Sequence, residues 1–540
     1  MKLKSEMTDK KLRGVYYTPE KLAKYIVEKL VDKDTTNKIL EPSCGDGVFI
    51  EAISANEEIL DYHITSVEID EDEINKLNKK YNKNPKHEII HSDFFRFYFE
   101  KKEHKYDLVI GNPPYIRYQY LDNEQREELS EILKHEGMKS NKLINAWVGF
   151  TVACSTMLKE NGTLIFVVPA ELLQVVYAKD LREFLLKKFN DITIVTFSKL
   201  IFDEIEQETV ILKCTNSKEK KGIRVIQATD IADFSLIDLV DHEYIDAPCS
   251  KEKWTKYFTS ADDIRKINKI KEDARFQKFS DIAKINVGIT TGNNKYFSLD
   301  KKTVNEYDLF KVSYPLIGRS LHVRGLHFKT KDYLENYENN KKSRLLVFEE
   351  DRTNLNNLQN KYISLGEDNN EHIGYKCSIR ENWYQIPSIW IPDAFFLRRN
   401  NIYPKFVLNE IDALSTDTMH RIAFKDGINK ENVLLSYYNS VSMAFTEMNG
   451  RSYGGGVLEI LPSEVGDILL PRIEDLPINL QTKLIKKIDK IIRDTKDIEL
   501  VLDIVDNEIL INYLGISESV CKDFRNIWKK MQSRRLGRAR

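Results

Sequence analysis

Seven short apolar runs alternate with segments of helical period through residues 38–214, and that alternation leaves few folds open. The runs are "KILEPS" (38–43), "HITSVEID" (63–70), "HEIIHSD" (87–93), "YDLVIGN" (106–112), "GTLIFVVPA" (162–170), "DITIVTFS" (191–198) and "ETVILKC" (208–214). Helical spacing marks "PEKLAKYIVEKLV" (19–31), "GVFIEAISA" (47–55), "INAWVGFTVACSTMLKE" (144–160) and "AKDLREFLLKKF" (178–189). Strands separated by helices build a mostly parallel, doubly wound α/β sheet. The last two runs lie close together, so the sheet is expected to end in a hairpin.

At 540 residues the chain is too long for one ordinary core. The polar break "SKEKKG" (217–222) precedes a change of texture: strands and short helices mix irregularly and aromatics become frequent. From "PINLQTKLIKKIDKIIRDTKDIELVLDIVDNEI" (477–509) the pattern is amphipathic helix. The expected division is 1–220, 221–475 (α+β) and a helical end, 476–540. No apolar run approaches the roughly 18 residues of a membrane span, and the polar start lacks a signal peptide's apolar block. Six scattered cysteines without a CxxC pair argue for a reducing cytoplasm and against a disulfide framework or a metal site. The net charge of −2 hides local basic runs such as "FLRRN" (396–400), and local potential is what binds phosphate.

The first strand runs into "LEPSCGDGVF" (40–49). Glu41 stands at its tip, Ser43, Gly45 and Gly47 form the turn, and a helix opens beyond. The spacing is neither the dinucleotide fingerprint nor a phosphate loop. An acidic rim suits a ligand with a small positive group and an adenosine tail. Glu68 ends the second strand, where a carboxylate can accept both hydroxyls of a ribose. Asp93 ends the third, where it could accept from an exocyclic amine while Phe94 packs on a purine. A single acid at a strand end is usually a helix cap, but three on successive strands share the edge where such sheets bind ligands.

"GNPPYIRY" (111–118) leaves the fourth strand on that edge. Pro113 and Pro114 fix φ and remove two donors, making a rigid, acceptor-rich corner. The Asn112 side-chain oxygen and the Pro113 carbonyl would face one NH2 group, and Tyr115 offers a ring to stack on. The pattern is a clamp for a planar amine.

NPPY after an EPSCGDG turn resembles the gamma class of S-adenosyl-L-methionine-dependent DNA adenine-N6 methyltransferases of type II restriction–modification systems. "GVYYTPEKLAKYIVEKL" (14–30) resembles their amino-terminal cofactor motif, with Thr18 at the methionine part. "NAWVGFTVACSTMLKENGTLIFVVPAELL" (145–173) resembles their middle block, with Phe150 against the cofactor adenine, and "IFDEIEQETVILKC" (201–214) places Phe202 where a flipped base is stacked. The resemblance implies a Rossmann-like seven-stranded catalytic domain and transfer of methyl to an adenine flipped out of double-stranded DNA. It implies a target-recognition domain, a cognate restriction endonuclease as functional rather than physical partner, a monomer, and a bacterial or archaeal cytoplasm.

Stretches 286–297, 316–325, 379–400, 417–422 and 449–471 resemble recognition regions, with Arg and Asn beside glycine-rich turns. Trp383, Trp390, Phe395 and Phe396 among them read as core. "IPDAFFLRRN" has a PD but no acidic-x-Lys partner, so methylation without cleavage is expected. The alternatives are a methyltransferase of RNA or protein glutamine, or an inactive DNA-binding protein. The intact NPPY corner argues against the last.

Overall fold

The computed structural model describes residues 16–81, 84–140, 144–202, 207–218, 221–246, 252–453 and 456–537. The chain divides between Ile267 and Asn268 into two compact units.

The first unit is built on a nine-stranded sheet: β1 (Lys38–Glu41), β2 (His63–Glu68), β3 (His87–His91), β4 (Tyr106–Gly111), β5 (Leu158–Pro169), β6 (Asp191–Phe197), β7 (Thr209–Thr215), β8 (Gly222–Ala228) and β9 (Tyr244–Ile245). The spatial order is 3-2-1-4-5-7-6-8-9. Strands β3, β2, β1, β4 and β5 run parallel. β7 lies antiparallel between β5 and β6. Chain order reverses between β1 and β4, the point in such sheets where loops part and leave a crevice at the strands' carboxyl ends.

The helices follow from the sequence period. In α1 (Glu20–Leu30), Leu22, Ala23, Ile26, Val27 and Leu30 form one buried stripe. α2 (Val48–Ser54) buries Phe49, Ile50 and Ile53. α3 (Glu71–Tyr81) and α4 (Phe94–Lys101) follow β2 and β3, and α5 (Asn123–His135) follows the NPPY corner. α6 (Ala146–Thr156) is buried from Ala146 to Ser155, as an all-round apolar helix must be. α1 and α2 join residues of β1, β2, β4, β5 and β7 in a continuous core.

Each of the seven apolar runs overlaps one of β1–β7, but two expectations fail. β6 and β7 pair antiparallel as expected, but the sheet does not end with them, because β8 continues parallel to β6 from Asp191↔Gly222 to Phe197↔Ala228. The division near 220 therefore falls inside the sheet. The polar break introduces a further strand of the same unit.

The second unit holds several small sheets. The largest, five-stranded, has the order Ala283–Asn286, Met419–Phe424, Ala394–Leu397, Phe406–Asn409, His327–Phe328. Phe395 and Phe396 are fully buried in it. The helical end is not a separate segment: in α9 (Glu518–Leu536), Phe524 stacks at 6.2 Å on Phe445 of α7 (Ser440–Asn449). Between these helices α8 (Ile478–Asp494) buries Leu484, Ile485, Ile488 and Ile492 along one side. Among the described residues no helix is long and apolar enough to cross a membrane.

Candidate active site

At the carboxyl edge of β1–β4 lies a cavity of about 1080 Å³. Thr18, Glu41, Ser43, Gly45, Glu68, Asp93, Phe94, Asn112, Pro113, Pro114 and Phe150 all line it. Residues from six separate stretches of chain thus converge where the strand order reverses.

The turn after β1 is shaped for close approach. Gly45 (φ +52°) and Gly47 (φ +82°) adopt left-handed backbone, and a Cβ on Gly47 would lie 2.6 Å from Leu77 Cδ2. The Gly45 N–H donates to Glu68 Oε2 at 2.7 Å, and Ile69 and Asp70 N–H both donate to Glu68 Oε1 at 2.9 Å. Glu68 therefore ties the glycine turn to the end of β2 while its carboxylate borders the cavity. Ser43 Oγ donates to the Asn112 carbonyl at 3.3 Å, fixing this turn to the NPPY corner.

Glu41 is the odd carboxylate. It is buried, and its Oε2 has no hydrogen-bond partner. Burial, reinforced by the nearby charges of Asp46 and Glu68, pushes its pKa well above the usual carboxylate range. Asp93 is differently placed. Its Oδ1 caps α4 by accepting from Phe95 and Arg96 N–H at 2.8 and 3.3 Å, and its Oδ2 accepts from Gln125 Nε2 at 2.9 Å. Next to it Phe94 and Phe150 stack with centroids 4.5 Å apart and planes at 26°. Thr18 is buried at the start of α1.

At the corner, Asn112 Nδ2 donates to the Tyr16 carbonyl at 2.9 Å, while its Oδ1 is buried without a partner. The amide is held by its donor end and presents its acceptor end. Tyr115 does not line the cavity: its hydroxyl donates to the Val167 carbonyl at 3.2 Å, and its ring packs at 5.8 Å on Tyr16, which does. Burial raises the Tyr115 pKa well above the usual phenol value, so the hydroxyl stays protonated and a donor.

Phe202 does not line this cavity. It is buried in the core that includes Phe197, Ile201 and Phe234, away from the cavity lining. An aromatic after β6 can satisfy the core pattern as well as a stacking role.

Gln125, Tyr16, Tyr17 and Asp46 were not anticipated. Gln125 comes from a helix with no strand-end signature, and Tyr16 contributes a backbone carbonyl that no residue identity announces. Tyr17 lines the cavity and donates to Glu73 Oε1 at 3.1 Å. Asp46, inside the quoted turn, also lines the cavity, and burial raises its pKa. The acidic rim, the stacked phenylalanines, the glycine turn and two buried, unpartnered oxygens suit a cationic ligand with a planar heterocycle, beside a second group that brings an NH2.

Residues 25–202 match the family model described as Eco57I restriction-modification methylase, and residues 251–510 match Type II methyltransferase M.Eco57I, C-terminal domain. The type II methyltransferase M.AccI of Acinetobacter calcoaceticus is 23% identical over 522 residues, 89% of this chain and 93% of its own. M.HindII of Haemophilus influenzae is 27% identical over 316 residues, 55% of this chain and 57% of its own. A solved DrdV–DNA complex aligns with 90% of this chain and 58% of that one at 13% identity. The TM-score of that alignment is 0.49.

Proposed function

Since the chain is a type II restriction–modification methyltransferase, with an Eco57I-like methylase domain followed by an M.Eco57I-like C-terminal domain, we propose that it methylates the exocyclic N6 of adenine within a short duplex DNA site. The methyl donor in this reading is S-adenosyl-L-methionine, and the second unit selects the site. The modification would protect DNA from a cognate endonuclease. One observation carries the reading: the buried, unpartnered Asn112 Oδ1, held in place through its Nδ2 by the Tyr16 carbonyl.

The site's own groups fit the donor. Glu41 and Asp46 favour its positive charge, Phe94 and Phe150 its adenine, and Thr18 with the Gly45 turn the remainder. When bound, S-adenosylmethionine supplies an electrophilic methyl on a sulfonium. Asn112 Oδ1 and the Pro113 carbonyl accept the two N6 hydrogens of the target base. Both acceptors pull the nitrogen out of conjugation with the ring and aim its lone pair. The corner is rigid before the base arrives, so orientation and fixed dipoles supply the acceleration. After transfer one N6 proton leaves to solvent, made acidic by the new bond, so no general base is required. The Tyr16–Tyr115 pair offers the aromatic surface beside the corner; base stacking worth ~1–3 kcal/mol offsets much of the few kcal/mol that unstacking the base costs.

The test is transfer of labelled methyl from S-adenosylmethionine to unmethylated plasmid, followed by sequencing that detects N6-methyladenine. Label in one short motif, lost in Asn112→Ala, is the expected result. Label entering cytosine, RNA or protein instead would overturn the assignment.

A further inference from the structure

The strongest unassigned surface is on α8, outside every stretch that resembles a recognition region. Lys483, Lys486, Lys487 and Lys490 are all exposed. Their spacing of i, i+3, i+4 and i+7 puts them on one face of the helix. The opposite face buries Leu484, Ile485, Ile488 and Ile492, so the lysine face has a fixed orientation within its unit. The helix's internal acid is used elsewhere: Asp489 accepts from Leu326 N–H at 2.7 Å and from Arg493 Nε at 2.8 Å. Arg493 in turn reaches Asp332 at 2.7 Å. Asp494, one turn past Lys490, forms no ion pair with the stripe among the described residues.

The contrast with neighbouring lysines is what points to a partner. Lys522 pairs with Glu518 at 2.7 Å and Lys529 with Glu499 at 2.5 Å. Among the described residues none of the four α8 lysines has a carboxylate within ion-pair distance. Four like charges on adjacent turns repel one another and destabilise the isolated helix slightly. An extended anion alongside would offset that repulsion. At 1.5 Å per residue the stripe is about 10 Å long, a length over which duplex DNA presents about six phosphate charges. The chemistry matches a phosphodiester backbone, and ammonium point charges on flexible stems carry no base specificity.

Resting on the proposed action on duplex DNA, we infer that the lysine face of α8 grips the DNA backbone independently of sequence, adding to whatever reads the target. The test compares wild type with a variant carrying Lys483→Gln, Lys486→Gln, Lys487→Gln and Lys490→Gln, binding a random-sequence 30-base-pair duplex over a range of salt. Glutamine keeps helix propensity, and unchanged circular dichroism verifies the fold. Each lost phosphate contact should lower the slope of log K against log salt by ~0.9, so the full variant should lose about 3 to 4. A variant with arginine at the same four positions should keep the wild-type slope. An unchanged slope in the glutamine variant, with wild type binding duplex normally, overturns the inference and leaves the methyltransferase reading intact. Wild type that binds no duplex at all overturns both.

Discussion

The candidate site and the stretches offered for DNA contact use their polar side chains in opposite ways. In the first, two buried oxygens, Glu41 Oε2 and Asn112 Oδ1, border one cavity without a partner. In the second, most of the arginines that the sequence offers as candidates for DNA contact are occupied by their own unit. Arg380 donates to the Thr290 and Thr291 carbonyls, and Arg421 to those of Val287 and Ser388. Arg398 and Arg399 both reach Glu459, and Arg451 reaches Glu464. An unsatisfied buried acceptor costs about 1–3 kcal/mol and persists where a ligand supplies the missing donor. A satisfied arginine is a clamp between loops. The cavity thus collects unpaired acceptors, whereas these arginines are spent within their own unit.

The sharpest way to break this contrast is to remove a clamp. Arg535 and Glu447 are both buried, and Arg535 also donates to the Asn401 carbonyl at 2.8 Å. Arg535→Met leaves Glu447 buried and unpaired, which should cost about 3–5 kcal/mol in denaturant unfolding; an unchanged midpoint would show the second unit does not depend on such clamps. Asn112→Ala should do the reverse. Methyl transfer should fall on the order of 100- to 1000-fold, as when one preorganised polar group is lost from other active sites, with unfolding unchanged.

Glu41 tests the same idea through pH. Its folded-state pKa is raised, so below the ordinary carboxylate range both folded and unfolded chains are protonated and nothing is lost. As pH rises, the unfolded chain ionises first and stability drains until the folded carboxyl ionises too. Glu41→Gln should therefore raise the melting temperature of the ligand-free protein at pH 8. It should also weaken S-adenosylmethionine binding about tenfold by calorimetry, the scale of one hydrogen bond to a charged group, and remove the rise of wild-type affinity with pH. The smallest effect belongs to Gln125. Losing its bond to Asp93 Oδ2 should raise KM for the donor about fivefold, worth ~1 kcal/mol, with kcat unchanged; a loss confined to kcat would show that Gln125 does not act through donor binding.

Legibility in the sequence follows the same divide. Residues such as Glu41, Asp93 and Asn112 could be placed because a strand end followed by a turn fixes a position in any doubly wound sheet. Phe202 could not, because an aromatic five residues past a strand fits core and cavity equally. Strand β8 went unread because "GIRVIQA" (222–228) follows a run of charges that mimics a linker, and only its pairing with β6 reveals the continuity. In the second unit no period dominates, and sheets of two to five short strands are joined by contacts distant in sequence. "FLRRN" shows why composition misleads there: Arg398 and Arg399 carry the charge of a DNA contact and the geometry of a loop clamp.

The position of β7 bears on how the chain is made. β5 and β6 emerge from the ribosome before it, yet they flank the place it takes and share no hydrogen bond with each other. A nascent chain ending before Thr209 therefore holds two open strand edges facing one slot, a template for pairing with any other extended chain. Translation pauses in that interval are where aggregation should begin, and the seven residues of β7 close the slot from both sides at once.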